Sequence, residues 1–332
     1  MSYSIETIKA REIDLEEVLD FLVNSPGECH SRDDWSKRIN SWWFSNPEMD
    51  FSEVNGWMMR FDGKLVGVLA AVPQKYGLDG RIIPALAATT WRVMEEHRNQ
   101  SLRLWFPFYK MSQSTLLLNT TPNEAVIKIV QKSGFRSCSK ATRHLFLTKS
   151  FIGGAETWIG AKKWPIEKKT GQPNFVYSIA DVKGIAKHTM QSRRLEKWIS
   201  LEYLSWVVNH SKAAPRFIGT TNEAGVLTSY LLVTEANVKK FPSLRVVDWF
   251  TTEDNRESTY SLLRHLCSNY QKILGFRKAF FVEIISISDG FFWDQAPFIL
   301  KRELRVNHYF ALPTDLAQAE KRCALVEGDY LL

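Results

Sequence analysis

A polar segment between two predicted elements holds most of the residues that can do chemistry. It reads Glu-Glu-His-Arg-Asn-Gln over residues 95–100, after a predicted strand over Ile82–Val93 and before a predicted helix over Ser101–Ser112. Amides in the first turn of a helix lack intrahelical partners and carry partial positive charge. Such a segment suits a phosphate group, and an ordinary strand-to-helix connection is the alternative.

Three side chains of this segment, Glu95, Glu96 and His97, are candidates for accepting a proton from a nucleophile. Their proximity to the end of the predicted strand is the reason for choosing them, because the strand itself contains no carboxylate. Solvated polar residues at a strand end are the alternative interpretation.

The elements that must position this segment alternate between helix and strand patterns. Apolar residues at helical spacing predict a helix over Ile5–Val23 and another over Asp33–Phe44. The pair Asp62-Gly63 between two apolar runs predicts a β-hairpin with a type I′ turn. A further strand is predicted over Ser114–Thr120.

The helix after that strand has sequence signals at both ends. Thr121 is predicted as its N-cap, Pro122 as its first helical residue and Glu124 as the partner in a capping box. Gly134 is typical of a helix C-terminus. A strand near His144–Leu147 is predicted to follow.

This order of elements over residues 1–150 resembles the GNAT superfamily of N-acyltransferases. The family loop Val-x-Pro-x-Tyr-Arg-x-x-Gly-x-Gly/Ala is matched in register at Val93 and Arg98. A second family segment, Asn-x-x-Ala-x-x-Leu-Tyr-x-Lys-x-Gly-Phe, is met at unchanged spacing by Asn123, Val126, Ile129, Val130, Lys132, Gly134 and Phe135.

The resemblance implies a site for acetyl-CoA or another acyl-CoA. In that family the loop amides hold the pyrophosphate, and two strands splay apart so that the pantetheine arm lies between them. Ser101 and Arg103 stand at glycine positions of the family loop, and Val130 stands where many members carry a tyrosine acid. The binding residues implied by resemblance are Val93, Arg98, Asn99, Gln100, Ser101, Leu102, Arg103 and Asn123.

The second half of the chain looks like a degenerate copy of the first. A shift toward Gly, Lys and Pro predicts a linker over residues 151–175. The resemblance then implies two tandem α/β (α+β) GNAT-like domains, 1–150 and 176–332, each a mixed, mostly antiparallel sheet flanked by helices. Helices are predicted over Asp181–Thr189 and Ser192–Asn209. Asp248, in the copy's central strand, is a candidate base or acceptor ligand, with a salt-bridged structural role as the alternative.

Composition and charge set outer bounds on the function. The 332 residues include 43 Lys and Arg against 36 Asp and Glu, and the net charge of +7 favours anionic partners such as phosphate groups, nucleic acid or an acidic membrane. The four cysteines are scattered and the histidines show no zinc-type spacing, so we expect free thiols in a reducing compartment and no catalytic metal. No apolar run is long enough to span a membrane and the start lacks a signal-like apolar region, so a cytoplasmic location is expected.

Three hypotheses follow. The first is an acyl-CoA-dependent N-acyltransferase acting on a small amine, with an amino sugar of a cell-surface polysaccharide pathway as the acceptor that related tandem proteins suggest. The second is a Fem-like transferase that takes its acyl group from aminoacyl-tRNA, which the positive charge also fits. The third is a non-catalytic binding protein that keeps the fold. The oligomeric state is not legible in the sequence.

Overall fold

The computed structural model describes residues 2–10, 15–49, 53–148, 174–186, 195–211, 213–252, 256–275, 278–287, 290–319 and 321. Most of the predicted linker, residues 151–173, lies outside them. The strands are β1 (Tyr3–Ile8), β2 (Gly56–Phe61), β3 (Lys64–Leu78), β4 (Arg81–Val93), β5 (Leu116–Asn119), β6 (Arg136–Leu147), β7 (Asn174–Val176), β8 (Gly184–Ile185), β9 (Glu196–Lys197), β10 (Arg216–Thr221), β11 (Val226–Val238), β12 (Phe241–Thr251), β13 (Phe281–Ser286) and β14 (Leu300–Ala311). The α-helices of the described residues are α1 (Leu15–Val23), α2 (Arg32–Ile39), α3 (Leu102–Lys110), α4 (Glu124–Lys132), α5 (Leu201–His210) and α6 (Arg256–Leu274).

All these strands form one 14-stranded sheet with the order β1-β2-β3-β4-β5-β14-β6-β13-β12-β11-β10-β7, and β8 and β9 pair with β11 and β3 beside that path. The pairs β4–β5, β12–β13 and β8–β11 are parallel, and the other described pairs are antiparallel. The predicted class, a mixed and mostly antiparallel sheet flanked by helices, is confirmed.

The two halves of the chain share this sheet. Strand β14, from the C-terminal part, lies between β5 and β6, and its Phe310 is opposite Leu118 on one side and Arg136 on the other. Strand β6 also pairs with β13, so that His144 is opposite Ile284. The division into domains at 1–150 and 176–332 remains a prediction, because the sheet runs through both parts.

Each face of β4 belongs to a different core. Ala85 and Ala87 pack in a core with residues of α1 and α2, which defines the α1–α2 face. Leu86 and Ala88 pack in a core with residues of α3 and α4, which defines the α3–α4 face. Alternation of side chains along a strand produces this division. Within the described residues, no helix combines the length and the apolar composition needed to cross a bilayer.

The hairpin at Asp62-Gly63 is confirmed, since both residues have positive φ (47° and 83°) between β2 and β3. The helix predicted over Ile5–Val23 is only half right. Its first part is strand β1 (Tyr3–Ile8), which pairs with β2 over six residues, and only α1 (Leu15–Val23) is helical. Pairing with a distant strand overrides a local apolar spacing that suits a helix.

Three other helix predictions need correction. The helix predicted over Ser192–Asn209 begins only at Leu201, because its earlier described residues include strand β9, while residues 192–194 lie outside them. Helix α4 begins at Glu124 with Asn123 as its N-cap, not with Thr121, because the Asn123 side chain is the one that accepts a hydrogen bond from the helix. The helix predicted over Asp181–Thr189 is wrong for its described residues, which form the end of a 3₁₀ turn and then β8, while residues 187–189 lie outside them.

Candidate functional site

Strands β4 and β5 part from each other near the middle of the first half. Their parallel pairing covers only Ala85, Leu86 and Ala87 of β4. Strand β5 ends at Asn119, while β4 continues to Val93. The two strands therefore bound a gap in the sheet, with backbone on both of its sides.

A β-bulge lies on β4 beside this gap. Leu69 of β3 is opposite Trp91 and Ala70 is opposite Thr89, so Thr90 is an extra residue on β4. Thr90 has a positive φ of 48°, which is unusual for a β-branched residue and costs on the order of 1–3 kcal/mol. A bulge bends its strand and re-aims the neighbouring side chains, and here it does so at the opening between β4 and β5.

A cavity of about 740 Å³ occupies the gap, within the ~300–1,000 Å³ range of small-molecule sites. Among the described residues, its lining contains two arginines and no acidic residue, lysine, histidine, cysteine or tyrosine. The lining residues are Ser25, Pro26, Leu69, Ala88, Thr89, Thr90, Trp91, Arg92, Val93, Arg98, Ser101, Asn119, Thr121, Pro122, Asn123, Ala125, Val126 and Ile129.

The N-terminus of α4 opens at the cavity. Asn123 Oδ1 accepts a hydrogen bond of 3.0 Å from the Val126 amide, and both residues line the cavity. The partial positive charge of a helix N-terminus favours anionic groups nearby.

The segment before α3 is wound into a 3₁₀ helix over Glu95–Gln100. The Ser101 amide donates to the Arg98 carbonyl at 3.1 Å, and the Leu104 amide donates to the Ser101 carbonyl at 3.0 Å. These two amides are therefore engaged within the chain. The polar side chains that this segment brings to the cavity lining are those of Arg98 and Ser101.

Four of the predicted binding residues line the cavity, namely Val93, Arg98, Ser101 and Asn123. The other four, Asn99, Gln100, Leu102 and Arg103, do not. Arg103 turns toward β1: its Nε donates to Gln100 Oε1 at 2.7 Å, and its guanidinium lies 5.4 Å from the centre of the Tyr3 ring. Arg103, which stands at a glycine position of the family loop, therefore does not fill the cavity.

None of the four predicted proton acceptors lines the cavity. His97 Nδ1 lies 2.8 Å from the Tyr3 hydroxyl. Glu95 and Glu96 are exposed, and the Glu95 carboxylate is 3.7 Å from Arg98. Asp248, far along the sheet on β12, accepts a hydrogen bond of 2.6 Å from the buried Tyr230 hydroxyl. The structure thus does not bring these four side chains together.

Val130, at the tyrosine position of the family segment, is fully buried in the core beneath α4. The cavity-lining residues of the same helix are Ala125, Val126 and Ile129. The position that carries an acid in many family members is therefore part of the apolar core.

Sequence reasoning missed the wall formed by Ser25, Pro26 and Arg92. The Pro26-Gly27 pair was the available signal, because such pairs mark type II turns. Gly27 has a φ of 76°, and the Glu28 amide closes the turn on the Ser25 carbonyl at 3.1 Å. The turn places Glu28 beneath Arg92, whose Nη2 donates to Glu28 Oε2 at 2.7 Å.

Glu28 is the best-anchored carboxylate at the cavity. Its side chain is 1% exposed, and Oε1 accepts hydrogen bonds from the Cys29 amide (2.8 Å), the His30 amide (2.7 Å) and His30 Nδ1 (2.5 Å). Burial alone would raise the pKa of Glu28, but these hydrogen bonds and the charge of Arg92 outweigh it and hold the pKa below its usual value. Glu28 is therefore a charged anchor for Arg92.

Glu28, Cys29 and His30 also form the group of possible metal ligands found within the described residues. Cys29 Sγ lies 3.8 Å from the same His30 nitrogen that meets Glu28. Arg92 already compensates the carboxylate, and a second cation, Arg38, lies 3.2 Å from His30 Nε2. Two guanidinium groups against this cluster oppose a metal cation there.

In the second half, a parallel strand pair is again followed by a bulge, but aromatic side chains pack beside it. Strand β12 is parallel to β13 from Ser243 to Val246, and the next residue, Val247, is the extra residue of a bulge against β11. Past the bulge, Trp249 contacts Phe292 and Trp293, with ring centres 4.5 and 5.1 Å apart. Trp293 is fully buried, so aromatic rings occupy this side of β12.

Comparison with protein-family models finds no match for the sequence, and comparison with curated proteins finds none either. Solved structures do match. A GCN5-related N-acetyltransferase from Anabaena variabilis has a TM-score of 0.61 at 10% identity, covering 93% of this chain and 72% of that chain. A probable N-acyltransferase from Enterococcus faecalis has a TM-score of 0.59 at 10% identity, with 93% and 72% covered. For a GCN5-related N-acetyltransferase from Kribbella flavida the values are 0.59, 11%, 93% and 70%. The predicted resemblance is confirmed at the level of architecture: this chain has the fold of the GCN5-related N-acetyltransferases.

Proposed function

We propose that this chain is an N-acyltransferase that takes its acyl group from acyl-CoA and transfers it to a small amine. The observation that carries the proposal is the cavity of about 740 Å³ at the point where β4 and β5 part. Solved structures that share the fold are described as N-acetyltransferases or as a probable N-acyltransferase, which supports the same reaction class.

The residues of the α3–α4 face fit an acyl-CoA. Arg98 and Ser101 offer hydrogen-bond donors for phosphate oxygens, and Asn123 lies at the α4 N-terminus. Val126 and Ile129 supply an apolar wall for the pantetheine arm. When bound, acyl-CoA supplies a thioester whose carbonyl carbon is open to attack by an amine.

The reaction forms one bond and breaks one. The amine nitrogen attacks the thioester carbonyl carbon, the C–N bond forms, the C–S bond breaks, and one proton from the nitrogen ends on the thiol. A second proton must leave if the amine arrives as an ammonium ion. Glu95, Glu96, His97 and Asp248 do not line the cavity, so the role of each as proton acceptor stays a prediction of the sequence analysis. Most of the rate then comes from positioning, which can contribute several kcal/mol.

An amino sugar as the acceptor remains a prediction of the sequence resemblance, and tRNA as the acyl donor remains the alternative. Calorimetric titration of the purified chain with acetyl-CoA, longer acyl-CoAs and aminoacyl-tRNA separates these donors. We expect saturable binding of acyl-CoA that changes little with salt compared with a nucleic acid.

The variant Ser101→Trp places a large side chain in the cavity lining and should abolish acyl-CoA binding. Ser114→Trp is the matched control, because Ser114 is exposed and lies outside the lining. Melting curves establish that both variants fold. Equal loss of binding in both variants, or no acyl-CoA binding by the unmodified chain, would overturn the proposal, and salt-sensitive binding of aminoacyl-tRNA alone would favour the Fem-like function.

A further inference from the structure

The cavity has one arginine on each face of the sheet. Arg98 belongs to the segment that leads into α3 and so lies on the α3–α4 face. Arg92 lies on the opposite side: its partner, Glu28, follows α1 in the chain and precedes α2. If phosphates of acyl-CoA occupy the α3–α4 face, as the proposed function requires, Arg92 is left for the second substrate.

Arg92 is held in place while part of it stays accessible. One Nη2 contact of 2.7 Å ties it to Glu28, and its side chain is 34% exposed. A guanidinium group has five N–H donors in a planar fork, so one contact to Glu28 leaves donors for a ligand. Because the anchor is 1% exposed and fixed by main-chain amides, the fork is pre-organised.

The charges around this wall favour an anion. No carboxylate is found among the cavity-lining residues in the part of the chain that the structure describes. Behind Arg92, the Glu28 carboxylate also accepts a hydrogen bond from His30 Nδ1. On the other side of that ring, the guanidinium of Arg38 lies 3.2 Å from His30 Nε2. One carboxylate and two guanidinium groups, those of Glu28, Arg92 and Arg38, together carry a net charge of +1. An amine with no anionic group would therefore approach a wall whose net charge is positive.

We infer that Arg92 binds an anionic group, a carboxylate or a phosphate, on the acceptor amine, and that the acceptor is therefore an amine of this charged class. This inference rests on the proposed function and adds the class of the second substrate. Glu28 acts as a positioning residue for Arg92. Ser25 and Pro26, on the turn that carries Glu28, form the neighbouring wall.

Two pairs of amines test the inference and distinguish the two anions. Glycine and glycinamide differ in a carboxylate, and glucosamine 6-phosphate and glucosamine differ in a phosphate. With saturating acetyl-CoA, the initial rate of thiol release is measured against the concentration of each amine. We expect the anionic member of at least one pair to have a kcat/KM at least 10-fold above that of its neutral member.

Variants assign the preference to Arg92. The double variant Glu28→Gln with Arg92→Gln removes both charges of the buried pair, so that no unpaired carboxylate is left to destabilise the fold. It should raise KM for the anionic amine by roughly 10- to 100-fold, as expected for loss of a charge-assisted hydrogen-bonded contact, and should raise KM for the neutral amine much less. Arg92→Lys, which keeps the charge but not the fork, should fall between. Arg81→Gln is the control, an exposed arginine at the other end of β4.

The outcomes separate the two proposals. If acetyl-CoA does not bind, the proposed function is wrong and this inference falls with it. Only the inference is wrong if acetyl-CoA binds but the anionic amines behave like their neutral counterparts. In that case neither anionic amine reacts faster than its counterpart, and neither raises the melting temperature of the acetyl-CoA-saturated protein more. A double variant that weakens neutral and anionic amines equally would show a merely structural role for the Glu28–Arg92 pair.

Discussion

The two halves of the sheet share one backbone arrangement, but a cavity lies beside it in the first half and aromatic rings pack beside it in the second. In each half a hairpin strand runs parallel to its next neighbour for three or four residues and then bulges, at Thr90 in the first half and at Val247 in the second. Past Thr90 lies a cavity of about 740 Å³. Past Val247 lie the packed rings of Trp249 and Trp293.

The difference shows that side chains decide whether this opening becomes a binding site or a core. In the first half Trp91 lies flat against Trp105, with ring centres 5.4 Å apart and planes at 12°, and leaves the gap open. In the second half a 3₁₀ helix over Gly290–Gln295 brings Trp293 against Trp249 and against Phe146 of β6. A ring from this short helix therefore packs against the strand after the bulge, where the first half has a cavity.

The largest expected effect is on stability in the filled half. Trp293→Ala removes a fully buried ring and should lower the free energy of unfolding by about 3–5 kcal/mol. Trp91→Ala, on β4 beside the open cavity, removes a partly exposed ring and should cost about 1–2 kcal/mol, from its stacking and its smaller buried area. Urea unfolding of both variants measures the difference, and equal costs would mean that the two gaps are filled alike.

The second effect concerns pH and also belongs to the filled half. Burial lowers the pKa of His144 more than its hydrogen bond to Asp294, the neighbour of Trp293, raises it. An unfolded histidine binds a proton below about pH 6.5, whereas His144 in the fold binds it only at lower pH. The unfolded chain then binds more protons, so the free energy of unfolding falls as pH drops below about 6.5, by up to ~1.4 kcal/mol per pH unit.

Urea unfolding at several pH values checks this dependence. The variant His144→Gln should show a shallower decrease below pH ~6.5, while His210→Gln, at an exposed position at the end of α5, should retain the slope of the unmodified chain. If the unmodified chain and His144→Gln showed the same slope, His144 would not be the cause of the pH dependence.

The smallest effect compares two helix caps. Asn123 caps α4 at the cavity and Ser200 caps α5 in the second half, each accepting a hydrogen bond of 3.0 Å from a first-turn amide. Replacing either by Ala should cost about 1 kcal/mol of stability. Only Asn123→Ala should also weaken acyl-CoA binding, because only Asn123 lines the cavity. Weaker binding in both variants would indicate a global effect of lost stability.

Local signals predicted much of this fold. Asp62-Gly63 specifies its turn and Gly134 ends α4 with a positive φ of 79°, because both depend on the conformational preferences of the residues themselves. Val93 and Asn123, which the resemblance implies as binding residues, both line the cavity.

The rest depends on contacts that are distant in sequence. The pairing of β14 with β5 and β6 joins residues that are more than 150 positions apart, and β1 is a strand because β2 lies beside it. The bulge at Thr90 has no turn-forming residue to announce it. Arg92 became a candidate only when the fold placed Glu28 beneath it. Local propensity carries no information about such contacts.

The number of acyl-CoA molecules bound per chain tests the central claim most directly. Isothermal titration of the unmodified chain and of the Ser101→Trp and Trp293→Ala variants gives this number. We expect one site per chain, lost in Ser101→Trp and kept in Trp293→Ala, because the cavity lies in the first half, whereas the described residues past the bulge of the second half include packed aromatic rings. Two sites per chain, or a single site lost in Trp293→Ala and kept in Ser101→Trp, would contradict it.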